Sequence, residues 1–526
     1  MPAFITLDSV RAATPDGRVL FDNLNLSIGA ERIGLVGRNG VGKSTLLSLI
    51  AGTRAPASGS VSRAGVVGVL PQLHAPPPGA RLAELLGVGP AWDRLCRIEA
   101  EEGTEEDLAE ADWSLPGAIA AALAEVGLSR WDASHPAEAL SGGQMTRAAL
   151  GCLLLAAPDV ILLDEPTNNL DAAARALLGD VLRRWKGGAV VVSHDRVLLR
   201  GMDRIVELTS LGMTSHGGDY DLYAERKAQA VAAAEHDLEA AERQVRQVAR
   251  EAQVARERKA RRDAAGRKFA AKGSEPKILL GAQAERAENS GAREGRLADR
   301  AAQDAAQARE AADARVERLR RLAFDLPSCG LPTGRVVLDF EGVAFAYPDG
   351  PPVLRGLEFR LAGPERVAIT GGNGAGKSTL IRLATGALTP TAGTVMRGVS
   401  AALLDQRAAI LDEDQTILEN FRRLNRAADQ NAAHAALARF LFRNVAAHQA
   451  VATLSGGERL RAALACVLMA ADPPQLLILD EPSNHLDLDS IQAVESALAG
   501  YDGALLIASH DEDFLEAIGV ERRVVL

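Results

Sequence analysis

The sequence predicts an α/β protein with two phosphate-binding domains in tandem, joined by an α-helical hairpin. Three observations lead there. A glycine-rich loop occurs twice, as Gly37-Arg38-Asn39-Gly40-Val41-Gly42-Lys43-Ser44 and as Gly371-Gly372-Asn373-Gly374-Ala375-Gly376-Lys377-Ser378. Each copy follows an apolar strand pattern, Ile33-Gly-Leu-Val36 or Val367-Ala-Ile-Thr370, and opens a helical one. Between the copies the composition shifts to Ala, Glu, Arg and Gln, which favour helix.

Both loops fit G-x-x-x-x-G-K-[ST], a P-loop whose backbone amides cradle nucleotide phosphates. Glycine lets successive amides point at one anion, and the helix start adds its partial positive charge. Lys43 and Lys377 reach the β- and γ-phosphates. Ser44 and Ser378 offer a hydroxyl to Mg²⁺, with Thr45 and Thr379 next in the helix. One such string could be a plain glycine turn, but strand, loop and helix recur here in register.

With 526 residues the chain holds two to four domains, and its 47% hydrophobic content suffices for substantial cores. No run approaches the roughly 20 apolar residues of a membrane span. The N-terminus reads as a strand, not a secretion signal. Cys96, Cys152, Cys329 and Cys466 are scattered, as free thiols in a reducing compartment would be. A cytoplasmic protein is expected.

The net charge is −10, yet its distribution is uneven. Ala224–Asp325 carries 23 Lys+Arg against 18 Asp+Glu, and the remainder 36 against 51. Within Arg256–Lys277 the count is 9 basic against 3 acidic, so one short stretch is strongly positive on an acidic molecule. Domains are expected at 1–223 and 333–526, with a helical hairpin over 224–332 and a basic tip over about 256–290. The helix pattern should break at Gly266, Gly273, Pro276 and Gly281, and resume from about Arg296 to Leu322. A first arm of roughly 40 residues would extend ~60 Å. For the arms, a solvated spacer laced with salt bridges is the competing reading.

Two apolar runs, Val160–Leu163 and Leu476–Leu479, lead into Asp164-Glu165-Pro166 and Asp480-Glu481-Pro482. A strand ending in an acid sets that carboxylate at the carboxyl edge of the sheet, beside the phosphate loop. Asp164 and Asp480 are placed to hold Mg²⁺ through water, and Glu165 and Glu481 to polarise the attacking water. Upstream, Leu140-Ser141-Gly142-Gly143-Gln144 and Leu454-Ser455-Gly456-Gly457-Glu458 read as helix N-caps with exposed amides, again suited to an anion.

Taken together these elements resemble the ATP-binding cassette family: two P-loop ATP-binding cassette domains in tandem, with ATP and Mg²⁺ as expected ligands. The resemblance implies that Gln72 and Gln406 sense metal and water, and that Asp171 and Asp487 cross between cassettes. It makes His194 and His510 sensors of the γ-phosphate beside the catalytic Glu165 and Glu481. It also implies two composite sites within one chain acting as a monomer. The first P-loop would face Ser455, Gly456 and Gly457, with Glu458 next in the helix. The second would face Ser141, Gly142 and Gly143, with Gln144 next.

The strings Glu165-Pro-Thr-Asn-Asn-Leu-Asp171 and Glu481-Pro-Ser-Asn-His-Leu-Asp487, the absent membrane segment and the long helical insert are similar to the F subfamily. That resemblance covers essentially the whole chain. It implies a protein on the ribosome near the exit-tRNA site, whose linker reaches rRNA, tRNA and the peptidyl-transferase region for translation regulation or antibiotic protection. Arg256, Arg258, Lys259, Arg261, Arg262, Arg267, Lys268, Lys272 and Lys277 are the candidate backbone contacts, and binding should depend on salt. An acidic segment within about 81–135 matches the subfamily's arm, for which a protein contact or a plain surface insertion is expected. Asn169 departs from His485. Thr14 stands where Tyr347 would stack on adenine. The chain ends at Leu526, so no C-terminal coiled coil is expected. The alternative reading is an ATP-dependent DNA-maintenance clamp, which would call for a zinc module or a longer coiled coil.

Overall fold

The computed structural model describes all residues except 1–2, 16, 71–75, 77, 169, 210–211, 271–298, 312–325, 349, 406–407 and 485. For 256, 259, 262, 263 and 266–270 only the backbone is described. Gln72, Gln406, Asn169, His485, Lys272 and Lys277 therefore lie outside the described residues, as does most of the basic tip.

Met1–Asp221 and Leu322–Leu526 form one compact unit. It holds two copies of one architecture. In the first copy a six-stranded sheet has the order Val67–Val69, Val160–Asp164, Gly188–Val192, Arg32–Val36, Arg204–Thr209, Gly212–Gly217. Its first five strands are parallel and the last is antiparallel. The second copy repeats the pattern with Ala401–Leu404, Leu476–Asp480, Ala504–Ala508, Arg366–Thr370 and Arg522–Val525, all parallel. Beside each lies a three-stranded antiparallel sheet, built on Ile5–Ala13 in one copy and Val336–Ala346 in the other.

The sequence explains which strands go where. Val160–Leu163 and Ala504–Ala508 are buried along their whole length, because a central parallel strand is covered on both faces. Each branched side chain buried this way stabilises by about 2 kcal/mol. Ile5–Ala13 instead alternates buried and exposed positions over much of its length, as a strand with one wet face must. Leu46, Leu49 and Ile50 of the helix Lys43–Ala51 join Ile33, Leu35, Val190 and Val192 in one core cluster, fixing the loop that precedes the helix. Gly52, at φ 82°, ends that helix with a left-handed cap.

The arm-like segment folds as the short helices Leu82–Leu85, Gly89–Glu99, Glu105–Ala109 and Leu115–Glu125. Thr104 and Asp107 form a capping box, and Arg97 pairs with Asp107. Arg97 and the Thr104 amide together hold the Asp107 carboxyl well below the usual range.

Leu222–Arg321 form the second unit. The helix Tyr220–Ala270 has 51 residues, about 75 Å at its ordinary rise. It runs through Gly266, where a break was expected. One glycine costs a helix only about 1 kcal/mol, too little to stop a long run of Ala, Glu and Arg. Helix is also present over 299–311.

Candidate nucleotide sites

The strands that end at Val36, Asp164 and Val192 are near neighbours and parallel, so their carboxyl ends share one edge. Loop 37–42, the acid pair and His194 meet there. The second copy brings together loop 371–376, Asp480, Glu481 and His510 in the same way.

Lys43 and Lys377 are only 7% and 9% exposed, and burial lowers the pKa of each. Lys43 Nζ donates to the carbonyls of Gly37 at 2.7 Å and Arg38 at 3.3 Å, folding back along its own loop. Lys377 Nζ donates to Gly371 O at 2.8 Å and to His510 Nε2 at 2.8 Å. An ammonium has no lone pair to offer, so that imidazole nitrogen is the acceptor. Gly37, at φ 150°, passes so close to the Leu208 carbonyl that a Cβ there would lie 2.3 Å from its oxygen.

Glu165 and Glu481 adopt φ 46° and 48°, the left-handed region that side chains disfavour. Their amides donate to Val192 O at 2.9 Å and Ala508 O at 2.8 Å, which holds this strained turn in place. Strain repeated at both acids marks them as positions under functional demand. No sequence signal announced it.

Burial pushes the Glu165 carboxyl up to about 8 and Glu481 up to about 7, against the pull of Lys43 and Lys377. Burial and Lys43 push His194 down to about 3. Burial, Lys377 and Arg175 push His510 down to about 4, so both imidazoles are neutral at pH 7. His194 Nε2 lies 3.2 Å from Glu165 Oε1, and His510 Nε2 3.6 Å from Glu481 Oε1. Glu165 Oε1 and both ring nitrogens of His194 are buried with no hydrogen-bond partner among the described residues. Buried polar atoms left in this state are costly, so the site suits a polar ligand.

The donor set fits a magnesium nucleotide. Ser378 Oγ donates to Asp480 Oδ2 at 3.1 Å, placing a hydroxyl and a carboxylate together at the start of the helix. Mg²⁺ prefers such hard oxygens and completes its shell with water and phosphate. A cleft of about 360 Å³ beside them is lined by Tyr347, Val353, Asn373, Gly374, Gly376, Lys377, Ser378, Thr379, Asp480 and Glu481. Tyr347 is 38% exposed, sets its ring edge against Phe345, and shares a hydrogen bond with Thr379 Oγ1 at 3.1 Å. Thr14, its counterpart, closes a local turn with Arg18.

Ser141 and Ser455 each cap their own helix in a capping box, with Gln144 and Glu458 as reciprocal partners. Asp171 and Asp487 also cap helices, accepting from Ala174 N at 3.0 Å and Ser490 N at 2.8 Å. Asp487 does more. Its second oxygen accepts the Asn39 amide of the first P-loop at 2.9 Å, across the two copies. Burial would raise the Asp487 carboxyl, but the bonds from Ser490 and Asn39 outweigh it and hold it low. Arg175 of the first copy similarly acts on Glu481 and His510 of the second. Sequence reasoning missed Arg175, because nothing local distinguishes it from any helix-surface arginine.

The family model described as "ABC transporter" matches residues 21–168 and 354–484. The chain is 34% identical to the tylosin resistance ATP-binding protein TlrC of Streptomyces fradiae, over 94% of this chain and 92% of that one. It is 30% identical to the energy-dependent translational throttle protein EttA of Mycobacterium tuberculosis, over 98% and 90%. Among solved structures, the complex of archaeal ribosomal stalk protein aP1 with the ribosome recycling factor aABCE1 matches with TM-score 0.61. That match is 19% identical and covers 98% of this chain and 87% of the other, a likeness of fold. No helix among the described residues is long and apolar enough to cross a membrane. The chain belongs to the ATP-binding cassette family and, within it, to the F subfamily of twin-cassette proteins.

Proposed function

We propose that this protein is an ATP-driven clamp that works on the ribosome, with cassettes at 1–223 and 333–526 and a helical linker at 224–332. The observation that carries the reading is the bond from Asn39 to Asp487, which ties one cassette's phosphate loop to the other cassette's crossing loop. ATP held by Lys43 or Lys377 would then touch both cassettes, and its γ-phosphate would act as the glue between them. Ser44 with Asp164, and Ser378 with Asp480, would hold Mg²⁺, joined by Gln72 and Gln406. The bound ion would neutralise charge on the transferring phosphoryl group.

The protein's own contribution is proton handling and orientation. Glu165 and Glu481 sit at the sheet edge with raised pKa values, as a general base needs. Each accepts a proton from the attacking water when ionised. The neutral His194 and His510 orient the γ-phosphate by hydrogen bonding, without adding a competing positive charge. Hydrolysis removes the shared phosphate contacts and releases the cassettes.

The names of its relatives, a translational throttle and a tylosin resistance protein, support a ribosomal target. The basic stretch Arg256–Lys277 supports a nucleic-acid contact through the linker, read here as rRNA and tRNA near the exit site, in the cytoplasm. The reading covers translation regulation and drug protection alike. Co-sedimentation tests it: with Glu165→Gln and Glu481→Gln together, ATP should trap the protein on ribosomes. Co-sedimentation equal to that of the wild type would count against it.

A further inference from the structure

Beyond the residues that hold nucleotide, two ion pairs among the described residues join the cassettes, and both run in the same direction. Arg196 Nη2 lies 2.8 Å from Glu495 Oε1, with side chains 10% and 12% exposed. Arg200 forks onto Asp513 at 2.7 and 2.9 Å and also holds Asp221. In each cross-cassette pair the guanidinium comes from the first cassette and the carboxylate from the second.

Their places in the chain tie the first pair to one site. Arg196 begins the helix Arg196–Leu199, which Asp195 caps, two residues past His194. Glu495 lies about two turns along the helix that Asp487 caps, and Asp487 holds the Asn39 amide. The pair therefore bridges the His194 shoulder and the Asp487 shoulder of the site built on Lys43. The mirrored positions cannot form it. Glu512 stands in place of Arg196 and Gly179 in place of Glu495. Likewise Glu516 replaces Arg200, and the exposed Val197 replaces Asp513.

We propose that Arg196 and Glu495 are a positioning pair that seats Asp487 on the first phosphate loop, so that the Lys43 site is clamped in a way the Lys377 site is not. This rests on the reading of two composite nucleotide sites given above. Burial pushes the Glu495 carboxyl up to about 7 against the pull of Arg196, so its charged form depends on that guanidinium, and removing either partner leaves the other stranded. The Lys43 site should accordingly bind nucleotide more tightly and release it more slowly.

Steady-state ATP hydrolysis by the full chain tests this in two backgrounds. Glu481→Gln reports the Lys43 site, and Glu165→Gln reports the Lys377 site. In the first background, Arg196→Glu or Glu495→Arg should each raise KM about tenfold, and the double swap should restore it to within about threefold. In the second background, the same changes should move KM less than about twofold. Equal effects in both backgrounds, or no rescue by the swap, would overturn the proposal. Circular dichroism melts of every variant, with Arg196→Lys as the conservative control, separate misfolding from mispositioning: a folded Arg196→Glu with unchanged KM also overturns it. Titration with a fluorescent N-methylanthraniloyl-ATP gives the same site comparison if the chain does not hydrolyse ATP, an outcome that would sink the functional reading and leave this one standing or falling by itself.

Discussion

The Asn39 amide of the first cassette donates to Asp487 Oδ2 of the second at 2.9 Å, across 448 residues of sequence. The same carboxylate caps the helix Leu488–Ala499 through Ser490. One side chain thus fixes its own helix and the partner's phosphate loop at once. A movement of that helix would therefore pull on the first loop, the coupling that the proposed clamp requires.

If Glu165 and Glu481 are the bases, replacing either with Gln should leave one working site. Each single variant should retain a measurable part of the wild-type kcat, and the double should fall by about 10²–10⁴-fold. Phosphate release at saturating ATP is the measurement. A double variant with near wild-type turnover would remove both residues from the mechanism.

The raised carboxyls set a pH dependence. A glutamate is neutral below its pKa and works as a base only above it, so activity falls as pH drops through that value. The kcat/KM profile reports the free enzyme. In Glu481→Gln, where Glu165 acts, the acid limb should have its midpoint near 8. In Glu165→Gln, where Glu481 acts, it should lie near 7. Overlapping limbs near the ordinary glutamate value would contradict the burial argument.

Much of this fold is legible in the sequence because its chemistry is local. The P-loops, the apolar strands before Asp164 and Asp480, and the capping serines Ser141 and Ser455 are short strings with one physical solution each. The left-handed turn at Glu165 and Glu481 is not legible, since glutamate gives no hint of positive φ. Nor are Arg175, Arg196 and Glu495, whose partners are chosen by packing between elements far apart in sequence. The expected break at Gly266 failed for the opposite reason: a local signal worth about 1 kcal/mol was set against a helix of many favourable residues.

The two glycines of the first loop should respond unequally to alanine. Gly37→Ala drives a Cβ into the Leu208 carbonyl and should destabilise the cassette by about 3 kcal/mol. A Cβ at Gly40 meets nothing within 4 Å, so Gly40→Ala should cost about 1 kcal/mol, from its positive φ of 77°. Thermal melts monitored by circular dichroism compare them. Equal shifts would refute the steric account.

Tyr347 presents a half-exposed ring beside the Lys377 cleft, and Thr14 presents none on the other side. Stacking of a base on an aromatic ring contributes about 1–3 kcal/mol. Tyr347→Ala should weaken ATP binding at the Lys377 site by about tenfold while leaving binding of inorganic triphosphate unchanged. Calorimetry on a Lys43→Ala background measures both ligands, and equal losses for both would argue against stacking.

The most direct test of cross-cassette sites is the nucleotide affinity of Asp487→Ala with one site disabled at a time. In Lys377→Ala, where only the Lys43 site binds, the loss of Asp487 should weaken ATP about tenfold, as expected for a hydrogen bond to a charged group. In Lys43→Ala, where only the Lys377 site binds, the affinity should stay within about twofold, although Asp487 belongs to that same cassette. If Asp487→Ala instead weakens the Lys377 site and spares the Lys43 site, each cassette works alone and the clamp does not exist.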